Sequence, residues 1–523
     1  MPAPKASLSS MVERRAFLQA ALAALASAVS TAGFAQKGSG KDVAGSAETP
    51  FSRDTVVQEA AERSKKPFDP PDSVLREPFA SMKFEDYLGI RLERGAGIWS
   101  GERRGFELEP LLRGPVFSTR VELSLVEDGH EKKPSVSSER FQFLLRDNSI
   151  PKTDVGFSGF RVLRARDEGD PAEVALFQGA SFFHARAPDQ TSGVSARGLS
   201  IRTADPRGEE FPLFRKFWVE RPALGDNALV IHSLLDSPSV VGAYRFTLRA
   251  SEATIIDTEL ALFPRADLDH IGLASLSGAS LFTPLDHRRV DDIRPAVADM
   301  GGLQVLTESG EWLWRPISNR AELQVSAFMD NSPKGFGFLQ RQRDIAAFQD
   351  DLQHFERRPS LWIEPLDDWG KGTVQLIEIP SESEINQNII AYWRPETVLR
   401  PKEGGYRFAY RQFWCWEPPA RPPLAHVSES RVGHGPAPKS RLFLVAFSGD
   451  VLGDPERAKA IEPKPIATPG VVRVLHKFPN PQRKTHRVLL ELDPGGETHS
   501  ELRLALYAGD EQISETWLYR WTS

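Results

Sequence analysis

The residues in this chain best suited to chemistry are tryptophans and carboxylates gathered between about Asp286 and Glu396. In "EPLDDWGKG", residues 364 to 372, Glu364, Asp367, Asp368 and Trp369 stand between an apolar run and two glycines. Alternate residues of a strand share a face, so Ser360, Trp362 and Glu364 point one way while Leu361 and Ile363 point the other. "GEWLWRP" repeats the pattern: Trp312 and Trp314 share a face and Arg315 follows. In "MDNSPKGFGFLQR", Asp330 and Asn331 open a turn that Pro333 holds, and Gly335 and Gly337 let another group approach the backbone. Indole rings stack on the apolar faces of sugars, while carboxylates and arginines hydrogen-bond the hydroxyls around them. The pattern predicts a carbohydrate cleft, with Trp312, Trp314, Arg315, Asp330, Trp362, Glu364, Asp368 and Trp369 as candidate substrate contacts. The competing reading has the rings filling a core, the carboxylates capping turns or pairing with Arg357 and Arg358, and the glycine-rich stretch forming a plain hairpin.

Other chemistries lack their residues. The chain contains no G-x-S-x-G elbow, no P-loop, no dinucleotide-binding G-x-G-x-x-G and no H-E-x-x-H. Its eleven histidines are scattered rather than set at ligand spacing, and Cys415 is the sole cysteine. No metal site, no cofactor and no intrachain disulfide is therefore expected. With a formal net charge of -6 and both signs interspersed, nothing builds the positive field that a phosphate backbone requires. Nucleic acid is not an expected partner.

The elements that must carry these residues read as strands. "DTVVQEAAERSKKPFDPP" has apolar residues at helical spacing and stops at Pro67. From Phe84 to about Trp416 the pattern becomes short runs rich in β-branched and aromatic residues, such as "FRVLRAR", "YRFTLRA" and "GTVQLIEIP", separated by turn residues. This predicts a large, mostly antiparallel β domain, interrupted by the helical or irregular "QRDIAAFQDDLQHFERRP". Four prolines in "CWEPPARPPL" mark a stiff linker, with a boundary near Pro418. Beyond it, about seven short strands over roughly 100 residues match an immunoglobulin-like sandwich.

The start reads as a targeting segment. "ERRAFLQAALAALASAVSTAGFAQ" joins Arg14 and Arg15 to an apolar small-residue run with a cleavage site ending at Ala35. Adjacent arginines before Phe17 and Leu18 resemble a twin-arginine signal, which delivers folded protein to the periplasm. The expected division is 1–35 signal peptide, 36–417 large β domain and 418–523 immunoglobulin-like domain. No later segment holds eighteen uninterrupted apolar residues, so no transmembrane segment is expected in the mature chain.

Several of these stretches carry a family resemblance. "FQGASFF", "SARGLSI", "GEEFPLF", "FWVERP", "LLDSPSVVGAY", "GEWLWRP", "DNSPKGFGFLQR", "FERRPSLWIEPLDDWGKGTVQLIEIP" and "NIIAYWRPE" resemble the periplasmic glucan biosynthesis proteins G and D. The resemblance covers nearly the whole mature chain, and the leader looks more like the D branch. It implies a large N-terminal mutarotase-like β-sandwich with a cleft, followed by a small immunoglobulin-like β-sandwich. It also implies a role in osmoregulated periplasmic glucan biosynthesis, with β-1,2-glucan as ligand and other components of glucan synthesis as partners. The implied activity is that of an inverting glycoside hydrolase or transglycosylase, the alternative being a non-catalytic protein that binds or escorts glucan. By this resemblance Asp299 in "RPAVADMGG" lines up with the family's base-side aspartate. The general acid of hydrolytic members looks like the middle residue of an Asn-Asp-Asn, which here is Asn386-Gln387-Asn388. An amide cannot deliver a proton at neutral pH, so Gln387 departs from the pattern, leaving Glu382 or Glu384 as the nearest carboxylates. "GLASLSGASLF", residues 272 to 282, departs from the family wording as well.

Overall fold

A computed structural model describes residues 49–134, 136, 138–143, 154–165, 170–286, 290–437 and 439–523. The leader lies outside the described residues. The chain is mostly β and divides into two compact units. One holds the described residues up to Pro188 together with Ser195–Ser275 and Thr397–Arg411; the other holds Asp189–Val194, Leu276–Glu396 and Gln412–Ser523.

In the first unit the expected helix spans Arg53–Ser64, with Ser52 as N-cap. Its i, i+4 pair Val56 and Ala60 is buried against Trp218, Leu234, Val241, Ala261 and Phe263. Those residues sit on an antiparallel meander of Leu213–Glu220, Ala228–Asp236, Val240–Ala250 and Thr254–Pro264. The meander's other side meets a second antiparallel set, Phe106–Leu112, Phe157–Arg164, Ala172–Gln178 and Phe182–Ala185. Phenylalanines interleave between them: Phe160 meets Phe217 edge-on at 5.1 Å, and Phe177 meets Phe246 at 5.5 Å. Edge-to-face contact suits the quadrupole of the rings, which adds to the area buried.

The second unit carries the stretches of chemical interest. One run of paired strands follows the order Ser360–Pro365, Gly335–Leu339, Gly302–Leu306, Trp312–Pro316, Thr516–Thr522, His499–Ala508, Ile461–Thr468. Trp312–Pro316 and Thr516–Thr522 are parallel, with Trp314 opposite Trp517. A second antiparallel set comprises Gln324–Asn331, Lys371–Glu378 and Ile389–Pro395. A third comprises His426–His434, Arg441–Ser448, Thr485–Asp493 and Val471–Asn480. The segment between Arg341 and Pro359 is irregular, with two short 3-10 turns at Ile345–Ala347 and Phe355–Arg357.

Two glycines next to tryptophans are explained by this packing. A side chain at Gly335 would sit 2.3 Å from the Trp362 ring, and one at Gly302 would sit 2.6 Å from the Trp314 ring. Each indole lies across the neighbouring strand's backbone, which only a residue without Cβ permits.

The proline stretch lies between Tyr406–Cys415 and His426–His434. Residues on its far side reach the Trp312–Pro316 region through Glu515, which is fully buried. Its carboxylate accepts from Arg341 at 2.6 and 3.0 Å, from Gln304 Nε2 at 3.0 Å and from the Val427 amide at 2.6 Å. Arg341 in turn lies 3.5 Å over the Trp314 ring. Removing one partner of such a buried pair leaves the other charge without compensation. Glu515→Ala is expected to lower the unfolding free energy by about 3–5 kcal/mol. Urea denaturation measures it, and a loss below about 1 kcal/mol would mean that Arg341 finds other partners.

Candidate functional site

The strand Ile271–Gly278 and the short strand Ser280–Phe282 are separated by the single residue Ala279, a buried break in the strand on which the site is assembled. A Cβ at Gly278 would lie 2.0 Å from the Met300 methyl, so glycine is what allows Met300 and its neighbour Asp299 to close on the strand. Ser280–Phe282 pairs with Val297–Ala298, which delivers Asp299 beside Ala279. Asp299 is buried; its Oδ2 accepts from the Ala279 amide at 2.9 Å, and its own amide donates to the Ala279 carbonyl at 2.9 Å. The other carboxylate oxygen faces the buried Arg358, with Nε 3.6 Å away.

Gln387 comes from the hairpin loop that joins Lys371–Glu378 to Ile389–Pro395. Ser277 Oγ donates to Gln387 Oε1 at 2.6 Å. The next residue, Asn388, uses both ends of its buried amide: Oδ1 accepts from Ser280 N at 2.9 Å, and Nδ2 donates to the carbonyls of Ser280 at 3.1 Å and Ile379 at 2.9 Å. Asn319 supports the same loop, accepting from Ser381 N at 3.0 Å and donating to Ser381 O at 2.6 Å and Leu281 O at 2.8 Å. Residues 277 to 280 thus hold Gln387 at one end, Asp299 near the other, and the base of the loop between two asparagines. The structure brings Asp299 and Gln387 to one segment.

Glu384 sits on the same loop with a different partner. Its Oε2 accepts from Arg294 at 2.6 Å, and Arg294 also binds Asp292 at 2.7 Å and Asp350 at 2.8 Å. Burial works against the charge on Arg294, but its three carboxylate partners outweigh it and hold its pKa above the ordinary value. Burial likewise opposes ionisation of Asp350, and the Arg294 bond brings its pKa below the usual range.

The predicted contact residues lie elsewhere in the second unit, engaged in packing and turns. Trp362 is fully buried, stacks on Trp312 at 5.9 Å and donates from Nε1 to Glu364 at 3.1 Å. Trp314 is covered by Arg341, and Trp369 is buried against Trp393 at 6.3 Å. Rings that are 0–7 % exposed offer a sugar no open face. Asp368 accepts from Gly370 N at 2.8 Å, and Gly370 has φ +66, so the two shape the turn between Ser360–Pro365 and Lys371–Glu378. Asp330 accepts from the amides of Glu308 at 3.0 Å and Asn331 at 2.8 Å. Arg315 is buried, paired with Glu378 at 3.0 Å, and Glu378 Oε1 accepts from Ser318 N at 2.6 Å.

Sequence reasoning did not single out Ser277 or Asn319, and it named Arg358 only as an ion-pair partner and Asp286 only as one end of the stretch. The one available signal was the altered wording of residues 272 to 282, which contain Ser277 and Gly278.

The chain is mostly β, and comparison with known proteins gives its family. Residues 51–521 match the family described as "Periplasmic glucan biosynthesis protein, MdoG", and the chain belongs to that family. It is a periplasmic protein of glucan biosynthesis. It is 42% identical over 481 residues to glucans biosynthesis protein G of Vibrio cholerae serotype O1, covering 90% of this chain and 87% of that one. It is 41% identical over 474 residues to glucans biosynthesis protein G of Rhodopseudomonas palustris, covering 90% and 93%. Among solved structures, a Paenibacillus xanthan lyase aligns over 75% of this chain and 37% of its own at 9% identity with a TM-score of 0.16, too low to carry an argument. Both relatives carry the G name, and the leader that pointed to the D branch lies outside the described residues.

Asp286, just after this segment, gives a measurable consequence. Burial pushes its carboxyl up to about 6, against bonds from the Thr283 and Asn319 amides and the nearby charge of Arg320. Well below pH 3.8 both folded and unfolded states hold the proton and the group's contribution is fully present. As pH rises towards 6 the unfolded state releases it first, and stability is lost. Asp286→Ala is expected to remove this decline, on the order of 2–3 kcal/mol between pH 4 and pH 6. Unfolding free energies of both proteins across that window check it; a constant difference would refute the assignment.

Proposed function

We propose that this protein binds β-1,2-glucan at the site built on residues 277 to 280, with Asp299 on the base side and Gln387 where a hydrolytic enzyme would carry its general acid. The supporting observation is that Asp299 and Gln387 are anchored to Ala279 and Ser277, two residues apart on one strand segment. Inverting hydrolysis needs an acid and a base held on opposite sides of the scissile bond, and the anchoring of both positions to one segment supports that reading.

The amide decides how far the chemistry goes. Departure of a glycosidic oxygen needs a proton, and Gln387 can offer it a hydrogen bond but not the proton itself. Asp299 can still accept a hydrogen bond from an incoming hydroxyl, with Arg358 stabilising its negative charge. Glu384 on the same loop is engaged with Arg294. Gln387 therefore favours tight binding with slow cleavage, the behaviour of a protein that holds or escorts nascent glucan. An enzymatic reading, hydrolysis or transglycosylation, returns if an acid is restored.

Purified protein incubated with linear β-1,2-glucan is expected to bind it and release little product. Gln387→Asp is expected to raise cleavage, within the roughly 10²- to 10⁴-fold that general acid catalysis contributes. Ser277 would donate to the new carboxylate and favour its ionised form, so Ser277→Ala added to Gln387→Asp should raise the rate further. Asp299→Asn should abolish the gain. Vigorous wild-type cleavage that survives Gln387→Ala would overturn the assignment.

A further inference from the structure

The Gln387 loop and Asp299 are joined by a second route that does not pass through residues 277 to 280, and its centre is Arg294. The guanidinium is aimed by a neighbour in sequence: Asp292 accepts from the Arg294 amide at 2.9 Å, from Nε at 3.0 Å and from Nη2 at 2.7 Å. The rest of its reach goes to two other segments. Nη2 also donates to Glu384 on the Gln387 loop at 2.6 Å, and Nη1 donates to Asp350 at 2.8 Å. From Asp350 the contacts run on to Asp299. The other Asp350 oxygen accepts from the amides of Leu352 at 3.0 Å and Gln353 at 2.9 Å, the Gln353 side chain accepts from Arg358 Nη2 at 3.3 Å, and Arg358 Nε lies 3.6 Å from Asp299. Asp350, Gln353 and Arg358 are all buried.

The two ends of this route differ in how firmly they are held. The segment that carries Asp350 is seated by Phe348 and Phe355, which pack with Phe282, Ala296 and Val297 beside the site. No residue from Ser381 to Gln387 is buried, so the loop takes its position from polar ties rather than from packing. Asn319 and Asn388 fix its base, and the Arg294–Glu384 contact holds its outer part. That contact lies at the margin of the fold: Arg294 and Glu384 keep 18% and 17% side-chain exposure, and Ile293 beside Arg294 is 99% exposed. Breaking it disturbs no apolar core. An arginine suits the place because its planar fork bonds several carboxylates in fixed directions, whereas a lysine ammonium is a point charge on a flexible stem.

We propose that Arg294 is a positioning residue: by holding Glu384 it sets the Gln387 loop against the support that carries Arg358 and Asp299, so that both positions meet one ligand together. The proposal rests on the reading of residues 277 to 280 as a glucan site and adds what keeps its loop in place. Arg294 acts through Glu384 on the loop and through Asp350 on the support. A loop that is in place only part of the time weakens the apparent affinity by that fraction.

Two measurements on the full chain separate the loop from the ligand. Hydrogen exchange without sugar reads the loop: in Arg294→Gln and in Glu384→Ala the bonded amides of Ser383 and Asn386 are expected to exchange about tenfold faster, while Ile271–Gly278 and Ile389–Pro395 keep their protection. Calorimetry with linear β-1,2-glucan reads the site. Both variants are expected to bind about tenfold more weakly, as a loop in place about a tenth of the time would. Arg294→Lys, which keeps a charge near Glu384, should lose less. The double variant should lose no more than Arg294→Gln alone, because both changes break one contact. Glu515→Ala, which weakens a joint outside the site, should bind like the wild type at a temperature where it is folded, and this separates positioning from a general loss of stability. A thermal melt confirms folding; if Arg294→Gln is not folded, Glu384→Ala decides, since it leaves Arg294 bonded to Asp292 and Asp350. Unchanged exchange in the folded variants, faster exchange with unchanged affinity, or losses that multiply in the double variant would each overturn the proposal. A wild-type chain that binds no β-1,2-glucan overturns the glucan reading instead, and loop exchange alone then decides whether Arg294 holds the loop.

Discussion

The hydrogen bonds that hold residues 277 to 280 are the constraint on which the candidate site depends. Four side chains from later parts of the sequence meet there: Asp299 on Ala279, Gln387 on Ser277, Asn388 on both the amide and the carbonyl of Ser280, and Asn319 on the adjoining Leu281 carbonyl. A buried backbone polar group without a partner is costly, so each of these bonds except the side-chain pair Ser277–Gln387 satisfies the segment as well as placing a side chain. Gly278 makes the approach possible by leaving Met300 the room a Cβ would take. Site geometry and local stability are therefore the same set of contacts.

Around that segment the second unit uses buried ion pairs as rigid joints. Arg315 and Glu378 are both nearly inaccessible, and Glu378 stands immediately before the loop that carries Gln387. Glu515 joins Arg341, Gln304 and the Val427 amide, so residues on either side of the proline stretch share one carboxylate. Such pairs contribute less to net stability than to uniqueness, because their desolvation offsets much of the attraction, while any other arrangement would strand a charge. The loop that carries Gln387 gains rigidity from that kind of joint.

The stretch "EPLDDWGKG" has a local explanation. Its carboxylates serve a largely exposed turn beside a buried indole: the half-buried Glu364 accepts from the Trp362 indole, the exposed Asp368 accepts from Gly370, and Trp369 covers Trp393 while its amide bonds Ser332. The alternation that put Trp362 and Glu364 on one face was legible, and they do touch. Whether that face met solvent or protein was not legible, since a strand between two layers and a strand beside a cleft share the same two-residue period.

The amino-acid sequence by itself determined the β character of the chain, the helix stopped by Pro67, the family, and an amide, Gln387, between two asparagines just ahead of the strand Ile389–Pro395. These are properties of local pattern and of residue identity, and they need no knowledge of which strands are neighbours. Only the tertiary structure decided that the tryptophans are buried, that Glu384 belongs to Arg294, and that Ser277 is the partner of Gln387 across 110 positions of sequence. It alone also linked Arg358, Gln353, Asp350 and Arg294 in one chain of contacts. The reason is physical: a hydrogen bond or an ion pair acts over about 3–4 Å in space and imposes no spacing along the chain. Residues brought together by strand pairing therefore leave no periodic trace in the sequence that encodes them.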